Sequence, residues 1–387
     1  MPSQLSGVYD DKEYSRSQEY TRAYTRFGLF QIVFDSTVLL LFWFSGGFGW
    51  LDLLVRGYGF GSIETGLLYF GALTVAGGML SLPFDLYGTF VIEERFGFNR
   101  TTFRLFVLDR LKGMLLGAIL GIPLLSAILW FFGAAGGSAW LYCWLFSTVF
   151  LLIVQFIAPT WIMPWFNKFT PLPDGELKAA ISKYAESVRF AFKDVFVMDA
   201  SKRSSKANAF FTGFGRNKRI ALFDTLVQDQ TVPEVVCILA HEIGHYKKNH
   251  VPAMMILSVA HTGFLFWLMS HFLNNRKLTE AFFVDEPSIY TGLLFFGMLY
   301  EPVSFLLSIA TNVLSRRNEL QADRFAVDTL GEPEHMASAL KKLHVKNLSN
   351  LTPHPFFVFL NYSHPPLLQR IKAIRVPIVS KSINANA

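Results

Sequence analysis

Cysteine is nearly absent: the 387 residues contain only two, Cys143 and Cys237. The first falls in a long apolar run and the second in a helical stretch far from it. A structural disulfide is not expected, and neither residue has metal-site spacing. Charge is scarce too, at 17% of residues against 52% hydrophobic and 16% aromatic. With 40 phenylalanines and a mean hydropathy of +0.34, the chain reads as a membrane protein and not as a soluble domain. The net charge is +6, yet no compact basic stripe accompanies it, which fits basic cytoplasmic loops better than a nucleic-acid binder. Met1 to Arg26 also lacks an apolar core of the signal-peptide kind, so no cleaved leader is expected.

Long apolar runs are present in place of these. Six are long enough at helical rise to cross a bilayer: Gly28 to Trp50, Gly66 to Val91, Leu111 to Gly133, Trp140 to Met163, Val251 to Leu273 and Ile289 to Leu314. Basic residues concentrate in the N-terminal tail (Lys12, Arg16, Arg22, Arg26), in the second loop (Arg95 to Lys112) and between Asn167 and His250. The intervening loops carry few. The positive-inside rule then puts both termini and the large polar segment on the cytoplasmic side, consistent with six alternating spans. The sequons at Asn347, Asn350 and Asn361 would face the cytosol and go unused. Asp35, Asp85, His261 and Glu301 fall within or beside spans, where charge is costly and normally faces an interior. An interior position is expected for Asp35, while Asp85 and Glu301 divide equally between a cavity and the headgroup zone.

The chemistry concentrates at His241-Glu242-Ile243-Gly244-His245, inside a helical stretch from about Pro233 to His250. Residues four apart share a helix face, so His241 and His245 can present two imidazoles to one zinc ion, with Glu242 beside them as general base. Asp229, Thr231 and Pro233, followed by Glu234, form a sensible helix start. A zinc ion held by three protein groups keeps one position open for activated water. The third ligand is expected at Glu319. It lies on a second helical stretch, Ser315 to Asp323, with Asp323 one turn later as an outer carboxylate for a ligating histidine. A solvated helix of alternating charge is the competing reading of that stretch. Between Asn167 and the zinc helix a small soluble region is expected. It has a helix at Asp174 to Ser187 and strands at Val195 to Met198, Asn208 to Phe214 and Ile220 to Phe223, the last two joined by a turn at Gly213, Gly215 and Asn217. A sheet beside such a helix can bind an extended peptide at its open edge.

Taken together, these residues resemble the type 1 CAAX prenyl proteases, the a-factor-converting integral-membrane zinc metalloendopeptidases. The resemblance rests on Phe90-Val91-Ile92-Glu93-Glu94-Arg95-Phe96-Gly97-Phe98-Asn99, Phe166-Asn167-Lys168-Phe169-Thr170-Pro171-Leu172 and Ser201-Lys202-Arg203-Ser204-Ser205. It continues through Asn208-Ala209-Phe210-Phe211, Leu222-Phe223-Asp224-Thr225-Leu226, the zinc motif, Glu319 to Asp323, and Tyr362-Ser363-His364-Pro365-Pro366 with Arg370. It covers nearly all of the chain from about residue 10. It implies one Zn2+ per chain on His241, His245 and Glu319, Glu242 as base and Asp323 in support. It further implies substrate binding at Asn208, Ala209 and Phe210, and His364 and Arg370 approaching the cleft, where a donor could stabilise the oxyanion.

The implied fold is mainly α: a multi-pass transmembrane helical chamber capped by a gluzincin metalloprotease domain with a small β-sheet. The expected organisation is a cytoplasmic tail (1–27), four spans (28–165), the metalloprotease segment (166–250), two spans (251–314) and a ligand helix with a C-terminal cap (315–387). Two departures stand out. Eukaryotic members have seven spans and this chain resembles a member lacking the first. Lys206 also stands where those eukaryotic members commonly have histidine, and the lysine resembles bacterial members, which favours a bacterial inner membrane over the endoplasmic reticulum. Expected partners are protein or peptide substrates, prenylated ones among them, and the bilayer. The alternatives are a quality-control membrane protease of the HtpX type and a metal transporter, whose ligands should lie near midplane.

Overall fold

The structure, a computed structural model, describes residues 10–212 and 219–375. In chain order its helices begin with α1 (Asp11–Phe44), α2 (Gly47–Arg56), α3 (Ser62–Tyr87), α4 (Phe103–Ala134) and α5 (Ala139–Ile157). The soluble segment follows with β1 (Phe169–Pro171), α6 (Glu176–Ser187), β2 (Asp194–Met198), β3 (Ala209–Thr212), β4 (Arg219–Phe223), α7 (Asp224–Asp229) and α8 (Val232–Lys247). Then come α9 (His250–Ser270), α10 (Arg276–Ala281), α11 (Ile289–Leu330), α12 (Pro333–Lys346), α13 (Pro355–Asn361) and α14 (Leu367–Arg375).

Among the described residues, six helical stretches are long and apolar enough to cross a membrane. Two differ from the sequence reading in instructive ways. The first begins at Asp11, where Asp10 caps it by accepting from the Glu13 N–H, so the polar residues ahead of Gly28 extend the spanning helix. It ends before Gly46, whose φ of 74° suits glycine. The run read as continuous to Trp50 is thus two helices. The last span does not stop at Leu314. α11 is one helix of 42 residues, about 63 Å long at standard rise, and it carries the expected ligand stretch as its own final turns.

The spanning helices bury little against one another. The most apolar window of α1 has 0% of its residues buried, and that of α11 has 17%. Sparse contact between apolar rods leaves room for an internal chamber. Where they meet, α5, α9 and α11 share a cluster around Cys143, Phe266 and Phe296, and α2, α3, α4 and α11 share another around Tyr69 and Tyr290. α11 joins both. Asp85 pairs with Arg110 of α4 and His261 contacts the Tyr300 hydroxyl at 2.7 Å, so both have partners. Asp35, expected in an interior, is exposed, as is Glu301.

The soluble segment folds around a mixed sheet in the order β1-β2-β4-β3. β2 and β4 run parallel, and β1 and β3 are antiparallel edges. The expected strands appear, while the turn at Gly213, Gly215 and Asn217 lies outside the described residues. β1 was not anticipated. α6 and α8 cover the sheet, and Ile181, Ile220, Leu222, Leu239 and Ile243 form a buried core that also takes in Ala326 of α11 and Ala339 of α12. Both cysteines are free and buried.

Candidate active site

α8 is set by its ends and its buried face. Thr231 and Glu234 form a reciprocal capping box, with Pro233 in the first turn. Glu234 is buried and accepts from Ser338 Oγ and Lys342 Nζ of α12, both at 2.7 Å. Burial pushes this carboxyl up, but those two donors and the Thr231 N–H outweigh it and hold it down to about 2. Val235, Leu239, Ala240 and Ile243 then fix the helix against the core. Gly244, inside the histidine motif, has a separate task. A Cβ there would sit 3.1 Å from both the Cα and the carbonyl oxygen of Ala322, so its absence lets α8 and α11 approach closely.

That approach brings His241, His245 and Glu319 together. One ligand atom from each lies within 4.8 Å of the others. The two imidazole Nε2 atoms are 3.2 Å apart. His245 Nε2 is 3.2 Å from Glu319 Oε1, and His241 Nε2 is 3.4 Å from Glu319 Oε2. Two ligands at ordinary zinc–nitrogen length and tetrahedral angle would be about 3.3 Å apart.

The outer contacts decide which nitrogens can bind. Asp323 Oδ1 accepts from His241 Nδ1 at 2.8 Å, leaving a lone pair on His241 Nε2. His250 Nε2 lies 3.0 Å from Gln321 Oε1. An amide oxygen only accepts, so His250 carries its proton on Nε2. Its bare Nδ1, 3.1 Å from His245 Nδ1, must then accept from His245. Both Nε2 lone pairs and the Glu319 carboxylate therefore converge without a proton between them, and Glu319 Oε2 is buried with no hydrogen-bond partner among the described residues. Such a donor set fits a cation.

The other expected residues divide. Arg370 of α14 is buried and donates to Asp323 through Nε at 2.8 Å and a terminal nitrogen at 2.6 Å. Its remaining terminal nitrogen is 3.7 Å from Glu319 Oε2. Its charge is thus spent on the outer carboxylate. His364 is exposed, with Nε2 3.4 Å from Glu319 Oε1. Glu242 sits between the two histidines in sequence, and desolvation pushes its carboxyl above the ordinary range against the pull of His241 and His245. Asn208 is exposed just before the edge strand, and its carbonyl accepts from the Phe223 N–H. Ala209 is buried and Phe210 half-buried on that strand. Sequence reasoning missed His250 and Gln321. A cavity of about 400 Å³ opens beside His245 and His250 and runs between α5 and α9, past Leu151, Met254 and Met255.

Residues 1–168 match the family described as CAAX prenyl protease N-terminal, five membrane helices, and residues 171–378 match Peptidase family M48. A probable CAAX prenyl protease 1 of Schizosaccharomyces pombe is 36% identical, the alignment covering 98% of this chain and 83% of that protein. A CAAX prenyl protease 1 homolog of Arabidopsis thaliana is 38% identical, covering 97% and 90% respectively. The crystal structure of S. mikatae Ste24p superposes with a TM-score of 0.92 at 34% identity, covering 97% of this chain and 92% of that one. Near full-length matches of this kind separate the chain from a metal transporter: it is a membrane metallopeptidase belonging to the CAAX prenyl protease family.

Proposed function

We propose that this protein is a zinc endopeptidase that cleaves near the C-terminus of prenylated proteins, or in other membrane-associated chains, on the cytoplasmic face. The observation that carries the reading is the convergence of two imidazole lone pairs and an orphaned buried carboxylate oxygen on one point. His241, His245 and Glu319 would hold one Zn2+ per chain. When bound, that ion supplies a Lewis acid, which polarises a scissile carbonyl and acidifies the attacking water.

Glu242 takes the proton from that water and returns it to the leaving amine, a task suited to a carboxyl whose affinity for protons is raised by desolvation. The edge strand β3 offers Asn208 and the backbone of Ala209 and Phe210 to an extended substrate. His364 is the exposed donor nearest the ligand carboxylate and serves the developing oxyanion. Arg370 acts as a positioning residue: it orients Asp323, which orients His241. The cavity between α5 and α9 gives an isoprenoid or other apolar segment a place beside the metal. The basic loops support the cytoplasmic side.

The test is cleavage of a farnesylated CAAX peptide by detergent-purified protein, comparing wild type with Glu242→Gln and measuring zinc in both. Cleavage by wild type alone, with zinc in both, is the expected result. Full activity in the variant would overturn the mechanism. Zinc binding with an intact peptide in the wild type would redirect the search to unprenylated membrane-protein segments.

A further inference from the structure

A second recess lies away from the candidate metal site, between α1 and α3 with its π-helical continuation, Gly88–Glu93. Its volume is about 610 Å³. Its walls are mainly apolar: Phe27 stacks on Tyr87 with ring centroids 5.1 Å apart, and Phe30, Phe84 and Val91 are among the other lining residues. Two exposed guanidiniums, Arg26 and Arg95, share the recess. Among the described residues neither has a carboxylate partner. The two acids next to Arg95 in sequence are engaged elsewhere: Glu94 accepts from Asn99 Nδ2 at 2.9 Å, and Glu93 from Lys206 Nζ at 3.0 Å and Tyr20 Oη at 2.7 Å.

The sequence fixes the depth of these charges. Arg26 immediately precedes the apolar part of α1, and Arg95 comes three residues after Ile92, where the apolar run ends, with Glu93 and Glu94 between. Antiparallel helices put both at the same membrane boundary, where phosphate headgroups lie and where arginine side chains extend from apolar stems. An apolar recess topped by two cations without carboxylate partners, Arg95 lying over the Phe96 ring at 5.5 Å, matches a lipid with an anionic headgroup, because basic pockets between spanning helices select such lipids.

We infer that this recess is a binding site for one anionic phospholipid, with its phosphate between Arg26 and Arg95 and an acyl chain along Phe27, Phe30, Phe84 and Val91. Neither arginine belongs to the candidate active site, so the inference stands apart from the proposed peptidase reading.

The test uses full-length protein reconstituted in phosphatidylcholine vesicles carrying spin-labelled phosphatidylglycerol or spin-labelled phosphatidylcholine. Wild type should immobilise phosphatidylglycerol preferentially. Arg26→Ala with Arg95→Ala should reduce that preference roughly tenfold, a few-fold for each cation lost at the membrane surface, while Arg26→Lys with Arg95→Lys should keep most of it. Val91→Trp, which fills the slot without changing charge, should release the labelled lipid of either headgroup. Zinc content and melting temperature report whether each variant folds. An unchanged lipid preference in the double alanine variant would overturn the inference. So would displacement of the lipid by inorganic phosphate, which would mean a free-anion site, or by a farnesylated peptide, which would mean a substrate groove.

Discussion

The two helices that supply the candidate metal ligands reach the same point by opposite routes. α8 is a short helix of 16 residues, capped at its start and buried for most of its length in the soluble core. α11 has 42 residues. Its first part packs among spanning helices around Phe296 and Tyr290, and only its last turns enter the soluble core through Ala322, Ala326 and Val327. The position of His241 and His245 is therefore decided by the cap, whereas the position of Glu319 is decided by a rod anchored in the membrane. The candidate site exists where the two frames agree, at the contact of Gly244 with Ala322.

That difference can be broken most severely within α11. One alanine inserted between Leu314 and Ser315 leaves the spanning part intact but rotates everything beyond it by about 100° about the helix axis. Glu319 and Asp323 then leave the face that meets α8. Loss of bound zinc and at least a hundredfold loss of peptidase activity are expected, with membrane insertion preserved. An equivalent insertion that kept stoichiometric zinc would show that the soluble domain positions α11 and not the reverse.

A smaller effect is expected from the contacts that orient the ligands. His250→Ala removes the acceptor for His245 Nδ1–H, so the ring can take either tautomer and turn. Zinc affinity should fall by roughly tenfold to a hundredfold, as for other losses of an outer partner, read by competition with a chelator. Gln321→Leu should do the same less strongly, because His250 would remain while its own tautomer became free. Unchanged affinity in both would remove the relay from the account.

Much of this was legible before any coordinates. The His-Glu-x-x-His spacing and the carboxylates one turn apart carry their geometry in the helical period, and the apolar runs carry theirs in length. What escaped reading depended on contacts that no local pattern encodes. The polar residues from Ser315 onward looked like a boundary, yet a helix continues across a change of solvent as long as its backbone hydrogen bonds do. The stretch from Pro233 looked continuous to His250. Asn249, at φ 56°, breaks it and turns His250 back toward His245, and asparagine is one of the few residues that accepts that backbone. The family resemblance implies only that Arg370 approaches the cleft. Its bidentate partner Asp323 becomes evident only when α14 packs beside α11 through Val327, Leu367 and Ile371. β1 was missed because three residues ending in Pro171 give almost no periodic signal.

The smallest effect belongs to the cap itself. Glu234 has its carboxyl held down to about 2, so it is charged in the folded protein at any pH where the unfolded chain would also be charged, and below. The sign follows: its contribution to stability is complete above about 4.5 and is lost as pH falls from there toward 2. Glu234→Gln should therefore lower the melting temperature at neutral pH by a few degrees, on the order of 2 kcal/mol, and the difference from wild type should shrink as the pH is brought to about 3. The comparison is made on chelated protein, because protonation of the histidines would otherwise strip metal in the acid arm and destabilise both proteins alike. If the difference stayed constant with pH, the Lys342 and Ser338 contacts would be acting through shape and not charge. α8 would then be held in place by its buried face alone, as α11 is by the membrane.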